Sequence, residues 1–289
     1  MLVLTGMLAL VVGSVRAQEI RRTPLVLSTS GTAEEPFVFD GHGMIIDLGI
    51  DVTAHDWQKQ GDLWSSRPEF EKSAAAADVQ RAPLFIDEVP LRLVRDRAAE
   101  QKAGVAGQVI YAAPEALKAG QAGFSPDGVL YFRWPVGKDP AKAKLILPQP
   151  GLASGVSFAG NFITVRNVTA IHAANDGFNI HGHRVGIRLE NVKAFSNGDE
   201  GISAHETVQM DVVKAEIAWN GSSAGGVADV GDSETTYTDC EVHDNLGAAF
   251  FFDGKKHRVT NCRIYRQHQD IVTRGDAVVE QSGNVWEKE

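Results

Sequence analysis

A segment that repeats itself constrains this chain more than any other feature. Residues 161–184 read NFITVRNVTAIHAANDGFNIHGHR, and residues 185–208 read VGIRLENVKAFSNGDEGISAHETV, an offset of 24. Set one above the other, Asn167 meets Asn191, Val168 meets Val192, Ala170 meets Ala194, Phe178 meets Ile202 and His181 meets His205. Residues 209–232 and 233–256 continue the period more loosely, which places Asp229 and Asp253 in the column of the two histidines. A fifth copy frays from His257, where Asn261-Cys262 echoes Asp239-Cys240 at an offset of 22.

A period in the low twenties belongs either to leucine-rich repeats or to a parallel β-helix. The region has almost no Leu, which removes the first. Within each copy, short period-2 runs such as Ile163, Val165, Val168 and then Phe178, Ile180 are separated by Gly, Asn and Asp, with no room for a ten-residue amphipathic helix. Each copy is therefore read as one coil of three short strands, stacked at about 4.8 Å. One coil cannot bury its apolar row alone, and each added coil covers the last. The expected fold is an all-β, right-handed parallel β-helix solenoid over 151–289. Cys240 and Cys262 fit an interior ladder there; their Cα atoms would lie about 5 Å apart, so a bridge is sterically open, but stacked small thiols suit a core better.

The N-terminal half is less regular. Residues 37–46, FVFDGHGMII, read as an opening coil within 18–50. Residues 51–150 read as an insertion or capping region with irregular strands: Trp57, Trp64 and the Ala-rich stretch 74–77 suggest a partly helical segment over 52–82. Asp127-Gly128 between short apolar runs is a hairpin signal. Residues 1–17, apolar from Leu2 to Val12 and ending Val15-Arg16-Ala17, have the pattern of a secretory signal peptide and are too short to span a bilayer. The expectation is a secreted product, periplasmic or extracellular, with no transmembrane segment after signal removal. The formal net charge of -9 argues against a nucleic-acid partner.

Three groups of residues carry possible chemistry. The first is Asp176 in NDGFNI and Asp199-Glu200 in DEGISA. Here the chain resembles the pectate-lyase-like superfamily, and in part its polygalacturonase-type glycoside hydrolases, which carry Asn-Thr-Asp-Gly and, about one coil later, a paired Asp. This chain lacks the Thr, has Glu200 for the second Asp, and has Ala224-Gly225-Gly226 where that family has Gly-His-Gly. The resemblance implies carboxylates that protonate a leaving oxygen and activate water; the same tripeptides are also what tight turns demand.

The second group is the column His181, His205, Asp229. With Phe178 and Ile180 inward, Asn179 and His181 turn outward. The histidine pair suits acid–base work or a metal with Asp229 as a further ligand, or forms a simple polar ladder. If Val227 continues the Ile202 row, the column slips by one and Asp229 changes face. The third group is basic: Arg184, Lys255 and Lys256, placed with Asn179 as substrate-binding candidates. β-Helix lyases use an Arg or Lys near a Ca²⁺ site, and the resemblance brings Ca²⁺ in as a candidate cofactor. Together these point to a polysaccharide as partner, acted on by lyase or hydrolase chemistry. A non-catalytic carbohydrate-binding or cell-surface β-helix is the competing class, since a fold alone does not choose a function.

Overall fold

A computed structural model describes residues 18–66, 81–148 and 154–287. Residues 1–17, where a signal peptide is expected, and the Ala-rich stretch 74–77 lie outside the described residues. The chain winds as a right-handed β-solenoid whose coils carry three parallel faces. Face 1 runs through Ile187–Glu190, Gln209–Val213, Glu234–Thr238, Lys256–Thr260 and Val278–Ser282. Face 2 runs through Lys193–Phe195, Glu216–Ala218, Glu241–His243, Arg263–Tyr265 and Val285–Glu287. In the first two coils these faces are single long strands, Phe37–Asp47 and Ile163–Ile171. Face 3 is a seven-stranded sheet from Leu25–Leu27 to Gln269–Thr273.

The stacking follows the repeat. Phe178 pairs with Ile202, and Ala170 with Ala194. Asn191 Nδ2 donates to Asn167 Oδ1 at 2.7 Å. The alternate residues that point inward form columns: Val156, Phe178, Ile202, Val227, Phe250 and Ile271 on face 3, and Ile46, Ala170, Ala194, Ile217, Val242 and Ile264 on face 2. Nearly all are fully buried. Cys240 and Cys262 sit in this interior as free, buried thiols.

Corners are made by residues forced into the left-handed region. Between faces 1 and 2 the column is Asn167, Asn191, Lys214, Asp239, Asn261 and Gly283, with φ from 50° to 66°. Asn, Asp and Gly tolerate that conformation; a lysine there costs roughly 1 kcal/mol. At the end of face 2 a second column, His172, Ser196, Trp219, Asp244 and Arg266, does the same with poorer formers. Beside it runs a buried amide ladder. Asn197 Nδ2 donates to Asn220 Oδ1 at 3.0 Å, and Asn220 Nδ2 to Asn245 Oδ1 at 2.9 Å. The same two Oδ1 atoms accept the backbone N–H of Asn197 and of Asn220.

Between the first and second coils the chain leaves the solenoid at Gly49 and returns at Pro148. These two ends pair antiparallel, Pro148 with Gly49 and Ile146 with Asp51. The inserted body has a five-stranded and a four-stranded sheet and its own core of Trp57, Trp64, Leu91, Leu130, Phe132 and Trp134. Of the segment 52–82, read as partly helical, the part up to residue 66 holds strands Gln58–Gln60 and Leu63–Ser65, and residues 67–80 lie outside the described residues. Asp127-Gly128 lies in the loop of an antiparallel hairpin that pairs Phe124 with Leu130. Among the described residues one short α-helix, α1 (Arg97–Ala103), is capped by Asp96. Among the described residues no helix is long and apolar enough to cross a membrane.

The amide ladder makes a stability prediction. Asn220→Ala strands the buried N–H of Asn197 and removes both ladder links, so urea unfolding should show a loss of about 2–4 kcal/mol. Asn191→Ala, at an exposed corner, should cost only about 1 kcal/mol. Equal losses at the two sites would show that the buried ladder carries no special weight.

Candidate functional site

The turn that leads into face 3 places the acidic residues. In two successive coils four residues separate the corner from the strand: 174–177 before Phe178 and 198–201 before Ile202. Asp176 and Glu200 occupy the same rung position and lie one coil apart, with Asp199 adjacent. One oxygen from each of Asp176, Asp199 and Glu200 lies within 4.8 Å of the others, the only such cluster among the described residues.

The partners of the three carboxyls differ. Asp176 Oδ2 accepts from Ser203 Oγ at 2.6 Å, and Oδ1 from the Glu200 N–H at 3.2 Å. Glu200 Oε1 accepts from Ser222 Oγ at 2.5 Å. Asp199 Oδ2 accepts from Arg81 Nε at 2.7 Å. Burial pushes the Asp176 carboxyl up to about 6, with the Asp199 charge adding to it and the Ser203 hydroxyl opposing. Glu200 is raised well above the ordinary carboxylate range by burial, then by the charges of Asp199 and Asp176. Burial thus favours the protonated form of Glu200, while the neighbouring Asp199 is paired with an arginine.

Asp199 and Glu200 open into a groove of about 550 Å³ along the outer side of face 3. Ala228, Phe251 and Val272 form its floor, His205 and Asp253 line one side, and Arg81, Ser223 and Arg274 close it. Arg81 arrives from the inserted body, whose chain is anchored by the Ala82 N–H to Gly198 O at 2.8 Å.

His181 and His205 come together as expected, their rings stacked 3.9 Å apart. Burial and the neighbouring His181 lower His205 to about 4, so it is a neutral imidazole at pH 7. His181 faces Glu206, 3.2 Å away. Asp229 departs from that column. The turn 221–226 is two residues longer than its counterpart 198–201, and Ile202 pairs with Val227, Ala204 with Asp229. Asp229 therefore points into the solenoid, fully buried, and accepts from Thr235 Oγ1 at 2.7 Å and Tyr237 OH at 2.9 Å. It cannot join the histidines on a metal. Ca²⁺ needs hard oxygen ligands; two imidazoles do not supply them. Asp176, Asp199 and Glu200 do, although Arg81 already sits on Asp199.

The basic candidates are not brought to the carboxyls, because the acids precede the face 3 strand and the bases follow it. Lys255 and Lys256 stand beside Glu234 and Glu280, at 3.7 and 3.3 Å. Arg184 packs over Gly182 at the corner beyond face 3. Asn179 is on the outer row of face 3 but is covered, and its Nδ2 donates to Ser154 Oγ at 3.1 Å. Ser203, Ser222, Phe251, Arg81 and Arg274 were not singled out from sequence. Ser203 alone had a signal, since it shares the Asn179 column; the rest depend on the longer turn and on the insertion.

Residues 154–285 match a family model described as the right handed beta helix region. No curated protein matches the chain significantly. Among solved structures, a glycoside hydrolase matches 93% of this chain and 87% of its own at 11% identity and a TM-score of 0.42. The complex structure of XylC with xylose matches 93% of this chain and 62% of its own at 12% identity and a TM-score of 0.47.

A carboxyl with a native pKa above its unfolded value is penalised when it must ionise inside the fold. For Asp176 that penalty is absent below about 4, builds between about 4 and 6, and is complete above. Asp176→Asn should therefore stabilise the protein by about 2–3 kcal/mol at pH 8 and by almost nothing at pH 3.5. Unfolding curves at the two pH values check this; a gain independent of pH would contradict the burial argument. Over 154–285 this chain carries the right-handed β-helix.

Proposed function

We propose that the protein is a secreted enzyme that cleaves a polysaccharide by glycoside hydrolysis, in the groove on face 3. The observation that carries this reading is the adjacency of Glu200, whose protonated form is favoured by burial, and Asp199, paired with Arg81, at the mouth of a groove open along the solenoid. Hydrolysis needs one carboxyl to protonate the leaving oxygen and another to act on water or the anomeric carbon. Burial and the neighbouring acidic charges favour the protonated form of Glu200, which makes it the donor. Asp199, paired with Arg81, is the second group. Asp176 has its charge position occupied by Ser203 and Glu200, so it positions Glu200 and raises its pKa. The neutral His205 offers ring nitrogens to sugar hydroxyls on the opposite wall. The open, shallow form of the groove suits a chain of sugars lying across several coils.

Purified mature chain should release reducing ends from at least one polysaccharide in a panel run with and without Ca²⁺ and with a chelator. Glu200→Gln and Asp199→Asn should each lower kcat by 10²–10⁴-fold while leaving the fold intact by circular dichroism. Undiminished turnover by Glu200→Gln would end the hydrolase assignment. An unsaturated product absorbing in the ultraviolet would replace it with a lyase, and binding without cleavage would leave a carbohydrate-binding solenoid.

A further inference from the structure

Ser222 sits in the longer turn 221–226, one coil beyond the carboxyls, and touches both residues assigned to the chemistry. Its N–H donates to the Asp199 carbonyl at 3.1 Å, and its Oγ donates to Glu200 Oε1 at 2.5 Å. The side chain is fully buried. The backbone around it is clamped from two sides. The Gly221 N–H donates to Asn197 O at 2.8 Å, and at the far end of the turn Gly226 O accepts the Gly201 N–H at 2.8 Å. A Cβ on Gly221 would collide with the Ala82 side chain, so the inserted body lies flush against the turn. A hydroxyl held in this way is preorganised and has little freedom left to lose.

A serine hydroxyl has one hydrogen to donate and lone pairs that accept. Here Oγ accepts the Ala224 N–H at 3.2 Å, and Glu200 Oε1 is the one acceptor that its hydrogen meets among the described residues. A proton on Oε1 would leave that buried hydrogen unpaired, which is costly. The acidic proton of Glu200 therefore belongs on Oε2. When Glu200 gives it to a leaving oxygen, which keeps the electron pair of the broken bond, a carboxylate is left beside Asp176 and Asp199. The bond from Ser222 then becomes charge-assisted and roughly twice as strong. An interaction that strengthens as the proton leaves raises kcat and leaves substrate affinity as it was. We infer that Ser222 is a positioning residue for the hydrolysis, fixing the transferable proton on Glu200 Oε2 and stabilising the carboxylate that remains. This rests on the reading of Glu200 as the donor.

The test uses the full mature chain with its glutamates labelled at the carboxyl carbon, the Glu200 signal being assigned by its loss in Glu200→Gln. The charged groups around Glu200 stay in place: Asp176 from the coil before, Asp199 beside it, Arg81 from the inserted body, and His205, Asp253 and Arg274 along the groove. The hydroxyl bond favours the ionised form of Glu200. Ser222→Ala should therefore raise the Glu200 titration midpoint by about half a pH unit or more. On a polymer that the unsubstituted enzyme cleaves, kcat should fall about tenfold or more with KM within about twofold. The alkaline limb of the kcat profile should move to higher pH, because the donor must be protonated to act. Ser222→Cys, close in shape but a poor donor, should follow Ser222→Ala, and it takes that variant's place if circular dichroism shows Ser222→Ala to be unfolded. A midpoint that stays or falls, an alkaline limb that does not move, or a cysteine variant that behaves as the parent would overturn the inference. Failure of the hydrolase reading is seen separately. A midpoint that rises in a chain that cleaves no polymer removes the hydrolase, whereas an enzyme silenced by Glu200→Gln but unchanged by Ser222→Ala removes the role of Ser222 alone.

Discussion

Vertical hydrogen bonding between coils is the constraint from which the rest of this structure follows. Each strand inside the stack is paired above and below, so the backbone is satisfied along the axis and side chains are left to fill columns of like character. The corners are where such a stack can fail, because the chain must turn sharply without losing register. Here the turn is held by left-handed residues on one side and by the amides of Asn197, Asn220 and Asn245 on the other, each capping a backbone N–H of the coil before it. A buried amide that satisfies two donors removes the penalty that a bare apolar column would leave at these positions.

The same stacking creates the electrostatics of the groove. Two acidic side chains at one position in neighbouring coils are brought within a strand spacing whether or not their charges favour it. Asp176 and Glu200 meet in this way, and burial raises the pKa of both, to about 6 for Asp176 and further above its ordinary range for Glu200. Ser203 and Ser222 supply hydroxyl donors, and Arg81 fixes the third charge. The site is a consequence of register, and one additional residue in a turn would dismantle it. Asp229 shows the alternative. One slip carries it from the outer column into the core, where two hydroxyls rather than a histidine receive it.

Much of this was legible in the letters and some was not, for definite reasons. The Asn167–Asn191 and Phe178–Ile202 pairings could be read because both the αL corner and the inward row demand recognisable residue types. The His181–His205 stack followed from alternation alone. The corner at His172, Ser196, Trp219, Asp244 and Arg266 gave no sign, since Ser, Trp and Arg are not usual left-handed residues and the fold imposes the conformation on them. The Asn220 ladder was hidden by spacings of 23 and 25 that straddle the period of 24. Lys255 and Lys256 follow the face 3 strand while the acids precede it, so they end beside Glu234 and Glu280 and not at the carboxyls, which composition alone does not reveal. Arg81 and Arg92 had no periodic signal at all, as they belong to the insertion.

That insertion is what turns a regular solenoid into a molecule with a distinct site. A stack of coils presents long, nearly equivalent outer rows, and nothing in the repeat itself marks one point on them. The body between Gly49 and Pro148 is tied to the stack by an antiparallel pair at its base, so it can fold on its own core while its loops reach over face 3. From there it contributes Arg81 to the carboxyls, and it is joined to the solenoid through Gly198 and, by Arg92, through Leu246. The solenoid supplies spacing and buried acids; the insertion supplies the cation that orders their charge. Neither part contains the groove by itself, and the charge pattern of the groove arises only where the two meet.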